Sequence, residues 1–425
     1  MSRPIKEYPG EDDRRVIQGF VARNYDRMKE VNHLVVKVKE KDIAKEFIRN
    51  CVPLVATAED NGAKTSLNVG FTFKGLRALL EERICDALAK KPELQAFVKG
   101  AVDRAGLVGD HSANAPWLWK DGLGIADNVH VLLSVYAETN NLLSDHVEQL
   151  LNAAAGGFEV VSSTPGRQLN DGLIHFGYKD GISQPNIKGL RESGDHQEVS
   201  PAGAFVLGYP SQFAGHTYSF DYPEPLGLNG TFAAFRIMKQ DVHGFEQFLT
   251  RQAGPMGNRE LVAARICGRW RDGTPLVISD EFPTGNTTND FKYDGTPDSV
   301  CPFSAHIRRT NPRDDEVAGL SGKKHRVVRS TMPYGPPYQE TVVDFEEGSK
   351  NYQERGLIGL FACVNLADQF EFVMKNWVMR GGFNGNLPVT SVDPMIGLQD
   401  FVRTRGAAYC FYPSTNGLQY IGCAK

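Results

Sequence analysis

The polar and apolar positions of HLVVKVK, His33 to Lys39, predict a β-branched strand. KDIAKEFI follows, where Asp42 is placed to cap a helix whose apolar side holds Ile43, Phe47 and Ile48. The same grammar returns at Thr231 to Leu249, TFAAFRIMKQDVHGFEQFL: a strand, then Asp241 and Val242, then a helix with Phe245 and Phe248 inward. A second pair echoes the first. VHVLLSVYA (Val129 to Ala137) and GLIGLFACVN (Gly356 to Asn365) read as strands, and NLLSDHVEQLL and ADQFEFVMKNW as the helices after them. Further strands are expected at SLNVGFTF (Ser66 to Phe73), FEVVSS (Phe158 to Ser163) and LVAARICGRW (Leu261 to Trp270). Each half then holds two strand–helix units in a βαββαβ-type order. That order predicts an α+β fold with antiparallel sheets and helices packed on one face. A doubly wound parallel sheet is disfavoured, because no glycine-rich phosphate loop follows any strand. The Gly/Pro-rich stretch from Lys188 to Asn229 is expected to carry the join between halves, and Asp280 to Ser299 to run over the surface as a loop.

Composition narrows the function classes. The chain has 425 residues, 41% hydrophobic and 23% charged, enough to build a core over two domains. With 47 Lys+Arg against 51 Asp+Glu the net charge is -4, so no basic excess exists to neutralise nucleic-acid phosphates. Positive charge does cluster in IRRTNPR (Ile307 to Arg313) and KKHRVVR (Lys323 to Arg329), which suits a small anionic ligand. The seven cysteines are odd in number, spread out and without CxxC, as expected of reduced thiols. Lacking CxxCH, the chain could not hold a haem in the c-type manner. Arg14 and Arg15 form a pair, but no apolar signal region follows, and no stretch nears the roughly 18 apolar residues of a membrane helix. A cytoplasmic protein with no membrane partner is expected.

Three stretches carry candidate chemistry. HFGYKDGISQP (His175 to Pro185) holds Asp180 beside Gly181, with Gly177 three residues earlier, a backbone free to turn tightly and be approached closely. CPFSAHIRRTNPR places His306 after apolar residues and before Arg308, Arg309 and Arg313. A neutral imidazole can take a haem iron, and arginines can meet its propionates. HRVVRSTMPYGPPY holds Arg329 at the end of a short apolar segment. Taken singly, each also reads as something plainer: a turn, a helix-end histidine beside a basic run, an arginine capping a helix. HExxH, GxSxG and P-loop patterns are absent, so zinc, serine-nucleophile and nucleotide chemistry lack support.

Taken in order, GYKDG, AHIRRTNPR and RSTMPYG resemble the dye-decolourising peroxidases, a haem peroxidase family marked by GxxDG. ARICGRWRDGTPL and RGLIGLFACVNLADQFEFVMKNW extend the resemblance over Leu34 to Trp377, and the length resembles the larger subgroup with loop insertions. The resemblance implies two ferredoxin-like α+β domains, 1–190 ending in the GxxDG segment and 191–425 holding haem b noncovalently. It makes His306 the proximal iron ligand, Asp180 the distal acid and Arg329 the distal arginine. Gly177 and Gly181 would let Asp180 lean over the haem, and Arg308 would meet a propionate. Asp368 is the candidate hydrogen-bond partner of His306, with a helix N-cap as the equal alternative. Tyr334 stands where many members have Phe; with Trp377 and Tyr338 it is a candidate electron relay, against core packing. The implied partners are hydrogen peroxide and a bulky organic electron donor such as a dye or phenol. A homo-oligomer stays open. A haem-handling protein without turnover is the alternative; it would need His306 but gain nothing from Asp180 and Arg329.

Overall fold

Eight strands build one antiparallel sheet: β1 (Glu30–Val38), β2 (Thr65–Phe71), β3 (Val131–Ala137), β4 (Phe158–Arg167), β5 (Thr231–Gln240), β6 (Val328–Tyr334), β7 (Gly356–Cys363) and β8 (Val402–Tyr412). This computed structural model describes the whole chain except residues 1–4, 24, 193–196, 221–222, 255–256, 315–323, 339–351, 380–400 and 425. Lys323 of the second basic cluster therefore lies outside the described residues.

Spatial order explains the fold. The strands run β4-β1-β3-β2 and then β8-β5-β7-β6. In each half this is fourth, first, third, second, so the halves share one topology. The α+β class expected from the strand–helix alternation is what the chain adopts. The halves meet at a single registered pair, Phe71 with Phe411. There Gly70 is needed because a Cβ would lie 2.6 Å from Cζ of Tyr412. The far edges also approach: a Cβ on Gly166 of β4 would lie 2.9 Å from the Pro333 carbonyl oxygen of β6. The sheet is therefore strongly curled, as right-handed strand twist favours.

Both faces are covered, so β3 is buried along its whole length rather than alternating. The helix Lys41–Cys51 lies against the C-terminal helix Thr415–Cys423, with Lys45 Nζ donating to the Ala424 carbonyl at 2.7 Å and Arg49 Nη1 to that of Gly422 at 2.6 Å. The halves are also joined by a buried cluster. Arg236 of β5 donates to both carboxylate oxygens of Asp110, at 2.6 and 2.7 Å, and to Thr404 of β8 at 2.8 Å.

One expected strand is a helix. Leu261 to Trp270 lies mostly within the helix Arg259–Cys267, because Asn258 caps its first turn through the Leu261 N–H and Gly268, at φ 89°, ends it. The second strand of that half is β6 instead; β7 is the strand expected at Gly356 to Asn365, and β8 is a fourth that was not expected. The helix expected in ADQFEFVMKNW is wound as two π-helical segments, Ala367–Glu371 and Val373–Val378. Among the described residues, no helix is long and apolar enough to cross a membrane.

Candidate active site

β6 is the last strand of the sheet, so one side of its backbone has no strand partner. The segment after His175 fills that side. His175 Nε2–H donates to the Tyr334 carbonyl at 2.8 Å. Gln184 bonds Arg329 in both directions: its Nε2 donates to the Arg329 carbonyl at 2.5 Å and its Oε1 accepts the Arg329 N–H at 3.2 Å. A glutamine side chain thus stands in for a ninth strand and satisfies an exposed edge.

Strand alternation puts Arg329 and Thr331 on one face of β6 and Ser330 on the other. Thr331 Oγ1 donates to Asp180 Oδ2, and Arg329 Nη2 donates to the Ser183 carbonyl at 3.1 Å. Ser330 instead meets the Tyr136 hydroxyl, 3.4 Å away. Asp180 is fixed from behind as well, its N–H bonded to the Gly172 carbonyl at 3.0 Å.

The two glycines of GxxDG have different tasks. Gly181, at φ 75°, has no heavy atom within 4 Å of where a Cβ would stand, so its side is open. Gly177, at φ 83°, is occupied: a Cβ would lie 3.0 Å from Arg271 Nη1. Arg271 in turn donates to Glu246 at 2.8 Å. Gly177 is thus a seat for Arg271.

His306 opens the five-residue helix His306–Thr310. Ile307 locks that helix down by entering the notch at Gly268, where a Cβ would lie 2.5 Å from Ile307 Cγ1. The imidazole has accessible surface, yet it is set deep enough for desolvation to push its pKa down to about 4. The positive charge of Arg329 adds to that lowering, and Asp180 opposes it. The charges that act on the ring are those of Arg329 and Asp180. At neutral pH the ring is uncharged and keeps a lone pair to offer.

Arg308 is turned away from His306, contrary to expectation. Two residues apart on a helix point to opposite faces. The Arg308 guanidinium is 1% exposed, donates to the Cys301 carbonyl at 2.6 Å and lies 3.9 Å from the Phe303 ring centre. It bolts the His306 helix to its support. Positive charge near Arg329 comes instead from Arg326 and Arg313: burial, then Arg313, lowers the Arg326 pKa to about 10, with Arg329 acting the same way and Glu198 opposing.

Asp368 is engaged elsewhere. Its Oδ2 accepts from Asn365 Nδ2 at 2.8 Å and from the Tyr218 hydroxyl at 3.3 Å, and its backbone oxygen from His325 Nδ1 at 2.5 Å. It is not among the charges felt by His306. The expected bond to His306 therefore finds no support among the described residues. The side chain does accept from Asn365, but it caps no helix by itself; the capping oxygen is that of Asn365, which takes the N–H groups of Ala367 and Asp368. Of the expected relays, Trp377 and Tyr334 are buried, Trp377 edge-on to His325 at 5.4 Å and Tyr334 donating to Glu354 at 2.8 Å. Tyr338 is half-buried, with Arg355 over its ring at 5.7 Å. Core packing accounts for the first two.

Comparison with known proteins decides the family. A dye-decolorizing peroxidase of Mycetinis scorodonius is 31% identical over 415 residues, covering 84% of this chain and 76% of that protein. The chain belongs to the dye-decolourising peroxidase family. A dye-decolorizing peroxidase of Mycena epipterygia is similar too, 29% identical over 447 residues with 88% and 80% covered. No family model matches. Among solved structures, a dye-decolorizing peroxidase in complex with 2,6-dimethoxyphenol superposes with a TM-score of 0.81 at 24% identity, covering 96% of this chain and 99% of that one. A fungal DyP-type peroxidase from Auricularia auricula-judae gives 0.81 at 22%. As a member, this chain is a peroxidase, an oxidoreductase of a haem-dependent family.

The chemistry of these side chains fits a haem. Among the described residues no group of three acidic, histidine or cysteine side chains could hold a bare metal ion. A single neutral imidazole within the electrostatic reach of a carboxylate and a guanidinium, with more arginine nearby, suits an iron already held by a macrocycle with anionic arms. Thr331, Gln184 and Arg326 were not singled out in the sequence. The signal for Thr331 was its i+2 spacing from Arg329, which becomes informative only once RSTMPY is seen to be a strand.

Proposed function

We propose that this dye-decolourising peroxidase binds haem b noncovalently through His306 and reduces hydrogen peroxide while oxidising dyes, phenols or other bulky donors. Asp180 is the distal acid and base, and Arg329 the charge stabiliser. One observation supports the reading most: Thr331, on the same face of β6 as Arg329, holds the Asp180 carboxylate, and Gln184 holds the Arg329 backbone. On this reading three segments far apart in sequence share one recess.

When bound, the haem supplies the redox centre that peroxide oxidises and organic donors reduce one electron at a time. His306 offers it a neutral nitrogen, held in place by Ile307 in the Gly268 notch. Asp180 takes the proton from one peroxide oxygen and returns it to the departing one. The Thr331 hydroxyl fixes the carboxylate that does this. Arg329, its backbone clamped by Gln184, places positive charge where the leaving oxygen becomes negative. Gly181, at φ 75°, lets the chain turn sharply just after Asp180.

On this reading 1–190 and 191–425 act as domains, the first ending in the segment that lies along β6 of the second. All seven cysteines are free, which fits the cytoplasm. Asp180→Asn should keep its Soret band while its response to peroxide slows by roughly 10²–10⁴-fold, the usual worth of a positioned acid–base. An unchanged rate would remove Asp180 from the chemistry. A haem-handling protein would be indifferent to this change.

A further inference from the structure

Beside the segment that follows Asp180 lies a second cleft of about 600 Å³. That is a usual size for a small-molecule site. Gly181, Ile182 and Gln184 form one part of its wall; Asp180, His306 and Arg329 do not line it. It is thus distinct from the recess described above.

Most of its charge is paired. Arg23 donates to Asp60 at 2.6 Å and Arg27 to the same oxygen at 3.3 Å, while Glu192 accepts the Gly189 N–H at 3.0 Å. Arg191 differs. Its Nε donates to the Ala22 carbonyl at 3.0 Å, which fixes the plane of the guanidinium. Both of its terminal nitrogens are buried and have no partner among the described residues. The exposed Asp26 attracts it through space only. Burial therefore draws the pKa of Arg191 down to about 10. A buried polar group left unpaired asks for an explanation, and a ligand is one.

Two terminal N–H groups in a fixed fork match the two oxygens of a carboxylate. The rest of the wall says what the carboxylate is attached to. Tyr25 and Met28 line the cleft, with the Arg23 guanidinium 5.4 Å over the Tyr25 ring, an apolar and cationic surround suited to a flat ring. We propose that this cleft binds a small aromatic carboxylate, paired through both oxygens with Arg191. Gln184 links the two sites, because it lines this cleft and also holds the backbone of Arg329. Occupancy then steadies the segment between Asp180 and Gln184.

The test is calorimetric titration of the haem-loaded full chain with benzoate and, separately, benzamide, which has the same ring without the charge. Benzoate should bind at least tenfold more tightly. Arg191→Gln should erase the difference, and His306→Ala should leave it intact. This last arm separates the cleft from the haem recess, so the proposal stands or falls apart from the peroxidase reading. Equal affinities for the two ligands, a preference that survives Arg191→Gln, or one lost in His306→Ala would each overturn it. Where Arg191→Gln does not fold, the benzoate–benzamide comparison on the unaltered protein together with that on His306→Ala, titrated without haem, decides the matter.

Discussion

Acid should compete with haem for His306 unusually late. The ring titrates at about 4 rather than the ordinary 6.5, first because burial penalises the imidazolium and then because Arg329 repels it. At pH 5 about 90% of such rings are neutral, against about 3% for an unperturbed histidine, so about 30-fold more lone pair is on offer. Water in the recess screens part of this, and 30-fold is the upper end. The sign is that of a depressed folded pKa: the neutral form, full above pH 6.5, is lost only as pH falls through about 4. The assay is a Soret titration of haem into the haem-free protein at intervals from pH 7 to 3.5. Affinity should hold roughly level to pH 5 and then fall toward tenfold per unit near 4. Arg329→Leu should move the fall to higher pH. A tenfold-per-unit loss that already begins at pH 6.5 in the unaltered protein would refute the reasoning.

Two predictions concern the frame. His33 is buried against Ser134, 2.9 Å away, and burial lowers its pKa to about 3. Its contribution to stability is therefore complete above pH 6.5 and is lost as pH falls toward 3, reaching about 3 kcal/mol by pH 4. Urea denaturation should show His33→Gln losing less stability over that window, and an unchanged pH slope would contradict this. Asp110→Ala would strand Arg236, whose side chain is 7% exposed, at a cost of about 3–5 kcal/mol. Removing both charges in Asp110→Ala with Arg236→Met should cost less than Asp110→Ala alone, as read by thermal melts.

The sequence made the duplicated α+β order legible because β1, β3, β5 and β7 are largely apolar runs, β-branched in β1, each followed by a helical pattern. β6 and β8 were harder. RSTMPY is polar and contains proline, and β8 has a register irregularity between Thr404 and Gly406 that breaks its alternation. Leu261 to Trp270 misled because a short apolar run does not declare its period; the cap at Asn258 and the stop at Gly268 did. At the site, order along the chain pointed to Asp180, His306 and Arg329, but not to which neighbours face them. Arg308 is near His306 in sequence and on the opposite face of its helix. Gln184 and Thr331 matter only once the segment after Asp180 is laid along the edge of β6, a pairing made by side chains that no local pattern records.

The most direct measurement is a stopped-flow visible spectrum of the haem-loaded protein mixed with one equivalent of hydrogen peroxide. The account predicts a fast fall and shift of the Soret band, and its return when a phenol or dye is added. A Soret band that ignores peroxide would contradict it, and failure to form any Soret band on haem loading would contradict the haem site itself.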